Sequence, residues 1–433
     1  MRSIQIPRRF QDVYPGWWVA LGGMFSILLL NGVQSGGSMG LFFVSLLRQF
    51  GWSRTLISGA FTLVRLENSI LGPLEGYLTD KYGAHWMVFF GFLIAASGFI
   101  VLGLVNQPMT FYISMILITT GTGVGGFVAV AAAVNWWFNR RRNRAMGVAT
   151  SAFGLAAVLG IPVAWGINTF GWRYTAFAIG VILILTSYPM SQIMRLRPTD
   201  PNPDPPHQTK SNQDEPLIIL NQDFTVRQAM RTRAFWLIPL VHSFTAFTNT
   251  AVNVHGIPHL VDVGLTTSMA AVALATYGIV EWFWRIGASP IGDWVDKRYV
   301  ISVHCILQAL GAAILGFTRS MHTAIIFAVI FGIGHGGRGP PLHAIRGEYF
   351  GRKHFATIMG IGSLISSVSG FITPLLLGYL YDVQGTYLWG FLGMSAVTLS
   401  GAVIILFATK PRLPIVQTDV EARIPGLEPG DGN

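Results

Sequence analysis

The chain has a single cysteine, Cys305, among 433 residues, so no disulfide can close within it. Charge is also scarce. Only 11% of residues are Asp, Glu, Lys or Arg, against about 25% in a soluble domain. A surface wetted on every side cannot be built from so little. No Asn-x-Ser/Thr acceptor occurs. No cleavage pattern follows the polar, basic stretch 1–11, so the first span is expected to act as its own insertion signal. No Walker-type loop is present, which excludes ATP as a direct energy source. No Ser/His/Asp triad or metal-ligand spacing stands out, so no enzyme activity, cofactor or metal is expected. Gly121-Thr-Gly-Val-Gly125-Gly126 has no strand before it. It reads as a close-packing device in a helix, not a dinucleotide loop.

Apolar residues fill the space that charge leaves. They make up 52% of the chain, with 50 glycines and a mean hydropathy of +0.51. Runs of this kind are long enough to cross a bilayer, which takes about 20 residues of helix. Spans are expected near 16–47, 53–79, 84–105, 108–138, 143–170, 173–194, 234–261, 267–293, 299–318, 322–346, 354–381 and 386–409. The fold class is therefore an all-α membrane protein with twelve transmembrane helices in two bundles of six. Residues 1–194 form the first bundle, 195–233 a proline-rich cytoplasmic linker, 234–410 the second bundle and 411–433 a polar cytoplasmic tail. A short surface helix is expected at 224–230. Trp17, Trp18, Trp52, Trp86, Trp136, Trp137 and Trp172 fall near span ends and read as an interfacial belt.

The net charge of +10 raises nucleic acid as a partner, but its placement argues against that. With these spans, 22 Lys and Arg fall on the side of the termini and linker, 4 on the other side, and 3 inside the spans. That excess puts both termini in the cytoplasm. The composition fits a bacterial or archaeal inner membrane.

The halves repeat. Gly76-Tyr-Leu-Thr-Asp80-Lys81 ends the second span, and Gly292-Asp-Trp-Val-Asp296-Lys297 ends the eighth. Trp137-Phe138-Asn-Arg140-Arg141 precedes the fifth span, and Tyr349-Phe350-Gly-Arg352-Lys353 precedes the eleventh. The two pairs of landmarks are separated by nearly equal lengths of chain, as a duplication requires. A duplicated unit of this type binds its solute between the halves, near mid-membrane.

Three arginines sit at bilayer depth, where a charge is rarely idle. Glu281 and Arg285 are four apart, share a helix face and can pair. A solute carboxylate could compete for the planar guanidinium of Arg285. That would leave Glu281 without its counter-charge and favour its protonation, a route to proton coupling. The alternative is a permanent structural ion pair. Arg65 and Glu67 point to different sides of their helix, with Asn68 beside them and Glu75 further along Glu67's face. They read as a solute and proton site, or as glue between helices. Arg338 and His335 lie in the tract 332–341, rich in glycine and ending in Pro340-Pro341. A distorted or broken helix lining a cavity is expected there. The other reading is a packing kink with a snorkelling Arg. Asn253 and His255 lie near the outer end of the seventh span, as a polar contact and a titratable group, with His259 an interfacial residue.

The doubled Gly-x-x-x-Asp-[Lys/Arg] loop resembles the signature of the major facilitator superfamily. In that family such loops latch the halves, a role the resemblance implies for Gly76, Asp80, Lys81, Gly292 and Asp296. The run 137–149, Trp-Phe-Asn-Arg-Arg-Arg-Asn-Arg-Ala-Met-Gly-Val-Ala, is similar to one in the monocarboxylate transporters and the oxalate/formate antiporters. Glu281-Trp-Phe-Trp-Arg285 resembles their acidic-x-x-x-Arg pair, in which Arg binds the carboxylate and the acid takes part in proton coupling. Lysines that these relatives carry in the first or eleventh span have no counterpart at 35–40 or 360–380.

Together these features predict a secondary carrier working by alternating access, with a small organic anion, a monocarboxylate, and a proton as partners in the bilayer. Arg285, Arg338, Arg65, His335 and Asn253 would contact the solute; Glu281, Glu67 and His255 would handle the proton. Rival readings are proton-independent exchange of a dicarboxylate and carriage of a drug or neutral solute. A monomer is expected to suffice.

Overall fold

The computed structural model describes residues 14–34, 36–52, 56, 59, 71–195 and 223–412. Arg65, Glu67 and Asn68 lie outside the described residues, as do most of the linker and the tail from 413. Among the described residues there is helix and no strand.

The first bundle contains α1 (Gly16–Gln34), α2 (Gly36–Phe50), α3 (71–82), α4 (Ala84–Gly103), α5 (Pro108–Gly125), α6 (Phe127–Trp137), α7 (Arg142–Thr150), α8 (Ala152–Leu155), α9 (Gly160–Phe170) and α10 (Trp172–Arg195). A short surface helix, α11 (Val226–Met230), opens with a capping box between Thr225 and Gln228. The second bundle contains α12 (Arg233–Asp262), α13 (Thr267–Gly287), α14 (Ile291–Trp294), α15 (Lys297–Phe317), α16 (Met321–Phe350), α17 (Phe355–Gln384) and α18 (Leu388–Ile404).

Eight stretches of described helix are long and apolar enough to cross a membrane. The long helices α12, α13 and α16 are not among them. They carry the polar residues of the site described below, which lowers their hydropathy. The charged ones among them, Glu281, Arg285 and Arg338, are buried, which makes that composition tolerable. Apolar side chains such as Leu375, Leu185 and Phe283 stand on the outer surface, as lipid requires. Trp86 and Trp136 are exposed, whereas Trp137 and Trp172 pack inward and depart from the expected belt.

Each bundle has its own core. One cluster centres on Phe42, Phe92, Phe99 and Phe111, and others on Phe235, Phe327, Phe331 and Phe391. The described contacts between bundles run from α6, α7 and α8 to α13, α14, α16 and α17. They gather at the end where the termini and linker approach the helices. There Tyr14 donates to the Trp137 carbonyl at 2.6 Å, and the Arg352 N–H donates to Asp223 at 2.7 Å. That end is shut by packing.

The tract 332–341 is not broken, contrary to the expectation. Helix α16 runs through Pro340 and Pro341 without interruption. The carbonyls that each proline ring would crowd belong to Gly336 and Gly337, where small residues leave the backbone room to adjust. The glycines also serve packing. A Cβ on Gly334 would sit 2.3 Å from the Gln308 backbone nitrogen on α15, and one on Gly336 would sit 2.5 Å from the Glu281 carbonyl on α13. Small residues thus bring α16 against both neighbours at once. This fixes where Arg338 emerges.

Candidate functional site

A cavity of about 530 Å³ lies between the bundles. The second bundle lines it with Asn249, Tyr277, Glu281, Arg285, His335 and Arg338; the first contributes Phe127, Phe153 and Gly154. The polar chemistry is therefore one-sided. A larger cavity of about 710 Å³ against α1, α9 and α10 has an apolar lining without a charged residue and offers an ion no anchor.

Arg285 and Glu281 form the expected ion pair on one face of α13, through Nη2 and Oε1. Both are buried. Arg285 also reaches across the cleft, where Nη1 donates to the Thr150 carbonyl of α7 at 3.2 Å. His335 Nδ1 stands 3.9 Å from the same Glu281 oxygen and 3.4 Å from the Tyr277 hydroxyl. That hydroxyl donates to Asn249 Oδ1 at 2.9 Å, and Asn253 Nδ2 donates to the same oxygen at 3.0 Å. Asn253 is exposed. A polar chain thus leads from an exposed amide to the buried acid.

Arg338 is different. It is 5% exposed and lines the cavity, yet it makes no hydrogen bond or ion pair among the described residues. The neighbouring acid is already engaged by Arg285. Below it, His242 and His343 also line the cavity. Arg346 is buried, with Nη1 3.3 Å from His343 Nδ1. Counting by sequence placed Arg346 among the cytoplasmic charges. The structure instead buries it beside His343, next to the cavity lining, because one α16 face carries residues 335, 338, 339, 342, 343 and 346 at helical spacing. His242, His343 and Arg346 were missed, and that spacing is the signal that could have found them.

His255 does not join the cavity. Its Nε2 is 3.3 Å from the Pro374 carbonyl and its ring lies beside Tyr387. Asn253 does line the cavity.

The loop motifs meet at the shut end. Asp80 accepts from the N–H groups of Ala356 and Thr357, at 3.1 and 2.7 Å, and so caps α17 of the other bundle. Gly76 lies so close that a Cβ would be 2.2 Å from the Ala356 carbonyl. In the second half the residue in this role is Asp293 rather than Asp296. Asp293 accepts from the Asn143 N–H at 2.9 Å and the Arg144 N–H at 3.4 Å, near the start of α7, and pairs with the Arg144 side chain at 3.2 Å. Asp80 and Asp293, Asn143 and Ala356, and Arg144 and Thr357 are all separated by the same length of chain. The repeat is thus in register at Asp293, one helical turn before the position expected from the Gly292 match. Asp296 caps its own helix α15 and chelates Arg298 at 2.6 Å. Lys81 is exposed over the Tyr77 and Tyr82 rings, 5.7 and 5.2 Å from their centres. Gly292 admits the Asn143 amide: a Cβ there would fall 2.3 Å from Nδ2.

Helix α13 ends at Gly287, so Asp293 on α14 lies beyond the span. Burial pushes its carboxyl up to about 6 and raises Asp80 as well. Opening this end would return both to water and to the ordinary carboxylate range. The closed arrangement therefore takes up protons that the open one does not, between the ordinary range and about pH 6. Acidification through that window is expected to hold this end shut. Spin-label distances between α7 and α14 should shorten on average from pH 8 toward pH 5, and Asp293→Asn should flatten the change. A distance distribution that widens on acidification would refute this.

Two bundles of helices, a charged cavity between them and paired latches at one end define a membrane solute carrier. The chain belongs to the major facilitator superfamily, whose family model matches residues 24–337 and 244–429. Among curated relatives, monocarboxylate transporter 13 of Rattus norvegicus is 24% identical over 90% of this chain and 88% of its own length. Monocarboxylate transporter 11 of Homo sapiens is 25% identical over 90% and 83%. The oxalate:formate antiporter of Oxalobacter formigenes is 21% identical over 68% of each. The fold matches a crystal structure of the transporter FucP in the outward conformation, with a TM-score of 0.71 at 12% identity, over 92% of this chain and 99% of that one. The protein is thus a multi-pass membrane transporter of this superfamily, homologous to the monocarboxylate and oxalate:formate carriers.

Proposed function

We propose that the protein moves a small organic anion, a monocarboxylate, together with a proton, by alternating access between the two bundles. The observation that carries this reading is Arg338: a buried guanidinium, facing the cavity and without a partner among the described residues. A charge kept in that condition needs a counter-ion, and a carboxylate supplies one with matching planar geometry. Arg285 then completes the clamp. As the anion draws on it, Arg285 loosens from Glu281. The acid, with His335 and Tyr277 beside it, takes a proton and is left neutral. Carboxylate and proton thereby enter together, which keeps the charge of the cavity nearly constant. This coupling is what alternating access requires of a symporter, since a loaded or an empty site can turn over and a half-loaded one is electrostatically penalised.

Proton-independent exchange of a dicarboxylate is the second reading, because Arg285 and Arg338 face one cavity and could each take a carboxylate. Carriage of a neutral solute would leave Arg338 without a role. On this account Arg65 and Glu67 are auxiliary and His255 is not used. The protein functions as a monomer in a cell inner membrane with both termini cytoplasmic, so the shut end is the cytoplasmic one. Domains are assigned as 1–194, 195–233, 234–410 and 411–433.

Uptake into proteoliposomes separates the two readings. Symport predicts that labelled acetate or lactate accumulates when the lumen is alkaline and only equilibrates when no gradient is applied. Uptake that ignores the gradient but needs an anion preloaded inside would overturn symport in favour of exchange.

A further inference from the structure

Between Arg338 and the shut end lies another buried guanidinium, which binding of a carboxylate at Arg338 leaves unused. Arg346 is 4% exposed and makes no ion pair among the described residues. Its Nη1 is 3.3 Å from His343 Nδ1. A guanidinium only donates, so Nδ1 accepts, and the neutral His343 ring carries its proton on Nε2. His343 lines the cavity, and so does His242, whose ring centre lies 5.5 Å away. Neither Nε2 of His343 nor the His242 ring has a hydrogen-bond partner among the described residues. Glu281, the acid of this cavity, is held by Arg285. The group therefore offers donors and positive charge, and what suits it is an anion with acceptor oxygens.

Helix α16 places this group on the way out. Arg346 is eight residues, or about 12 Å along the helix, beyond Arg338 in the direction of the shut end. One residue further, Gly347 meets α6 of the other bundle. A Cβ there would be 1.9 Å from Asn135 Oδ1, and Asn135 Nδ2 donates to the Gly351 carbonyl at 3.2 Å. That contact closes the path just past Arg346. Alternating access parts the bundles at this point, since α6 and α16 belong to different halves.

We propose that His242, His343 and Arg346 form a second anion position, which takes the carboxylate from Arg338 when the shut end opens and passes it to the water on that side. This rests on the carboxylate reading above and adds a step to it. A carboxylate leaving a buried guanidinium for water loses its counter-charge all at once. A second cation further along the same helix replaces that contact before the first is fully broken. Binding at depth can then be firm without trapping the solute, as in pores that hold an ion at successive sites. Parting Gly347 from Asn135 brings the neighbouring Arg346 within reach of the incoming water, so the position works from one side of the membrane only.

The test measures the two faces separately. Sealed membrane vesicles of both orientations are prepared from cells expressing the full chain. Initial rates of entry of labelled acetate or lactate give KM at each face. Arg346→Gln and His343→Leu should each raise KM at the shut-end face about tenfold or more, the worth of a hydrogen bond to a charged group. KM at the other face should stay near that of wild type. Arg346→Lys keeps the charge and should restore most of the loss. Arg338→Gln should raise KM at both faces. KM unchanged at both faces in Arg346→Gln and His343→Leu overturns the second position, as does an equal rise at both faces. Where Arg346→Gln does not reach the membrane folded, His343→Leu decides by the same two results. Labelled acid that enters at neither face, or enters Arg338→Gln as readily as wild type, overturns the carboxylate reading itself, and this inference with it.

Discussion

Arg338→Met is expected to make the protein more stable and to abolish its recognition of carboxylates. The stability gain follows from removing a buried charge that no hydrogen bond or ion pair offsets among the described residues. Replacing such a group with an apolar one of similar length often stabilises by roughly 1–4 kcal/mol. The binding loss follows from the same fact seen from the solute. Truncating one partner of a buried, hydrogen-bonded charge pair costs about 2–5 kcal/mol, so affinity should fall at least 30-fold. The two effects have opposite sign, which separates function from mere misfolding. The thermal midpoint of the ligand-free variant is compared with wild type, then both are titrated with a monocarboxylate. A variant that is less stable, or that still responds to carboxylate as wild type does, would show that Arg338 is structural.

Glu281→Gln should act in the reverse way. It removes the carboxylate that neutralises Arg285 and leaves a second unpaired guanidinium in the same cavity. Breaking a buried pair from one side destabilises by about 3–5 kcal/mol. The ligand-free variant should melt well below wild type, and added carboxylate should restore much of the difference by binding only the folded state. Affinity should rise, because the anion no longer competes with Glu281. Transport should change in kind. Exchange of anion for anion should continue in proteoliposomes, but accumulation driven by a pH gradient should be lost. If Glu281→Gln still concentrates the solute when the lumen is alkaline, the coupled proton sits elsewhere, and Glu75 becomes the next acid to test.

The comparison of Arg285 with Arg338 shows why sequence ranked them as it did. Arg285 has an acid four residues away on its own helix, so its chemistry is visible along the chain. Arg338 has no such companion, and its importance is the lack of one in space. Which guanidinium is held and which is left open depends on how α13 meets α16. That contact is set by glycines at 332, 336 and 339, which looked like helix breakers when read in one dimension.

The latches teach a related lesson. The motif at 76–81 was legible, and so was its copy at 292–297. The register of the copy was not. Matching glycine to glycine pointed to Asp296, whereas the residue that caps α7 is Asp293. Capping depends on where a carboxylate meets free N–H groups in space, and the pseudo-twofold arrangement satisfies that by setting Asp293 where Asp80 stands in the first half. A one-turn slip of motif on helix is invisible until the partner helix is in place.

The sequence by itself determined that the chain is helical and lives in lipid, that it is a doubled six-span unit, and that charge is kept at depth. These follow from composition, from span length and from the cost of ions in hydrocarbon, all of which are additive along the chain. Tertiary structure alone decided which charges face one another. It committed Arg285 to Glu281 and to the Thr150 carbonyl, left Arg338 open, drew His343 into the same lining with Arg346 buried beside it, and set Glu75 and Phe127 on a neighbouring cavity. Those pairings join residues as distant in sequence as Glu75 and Ser363 along one cavity wall, and only the packing of helices fixes them.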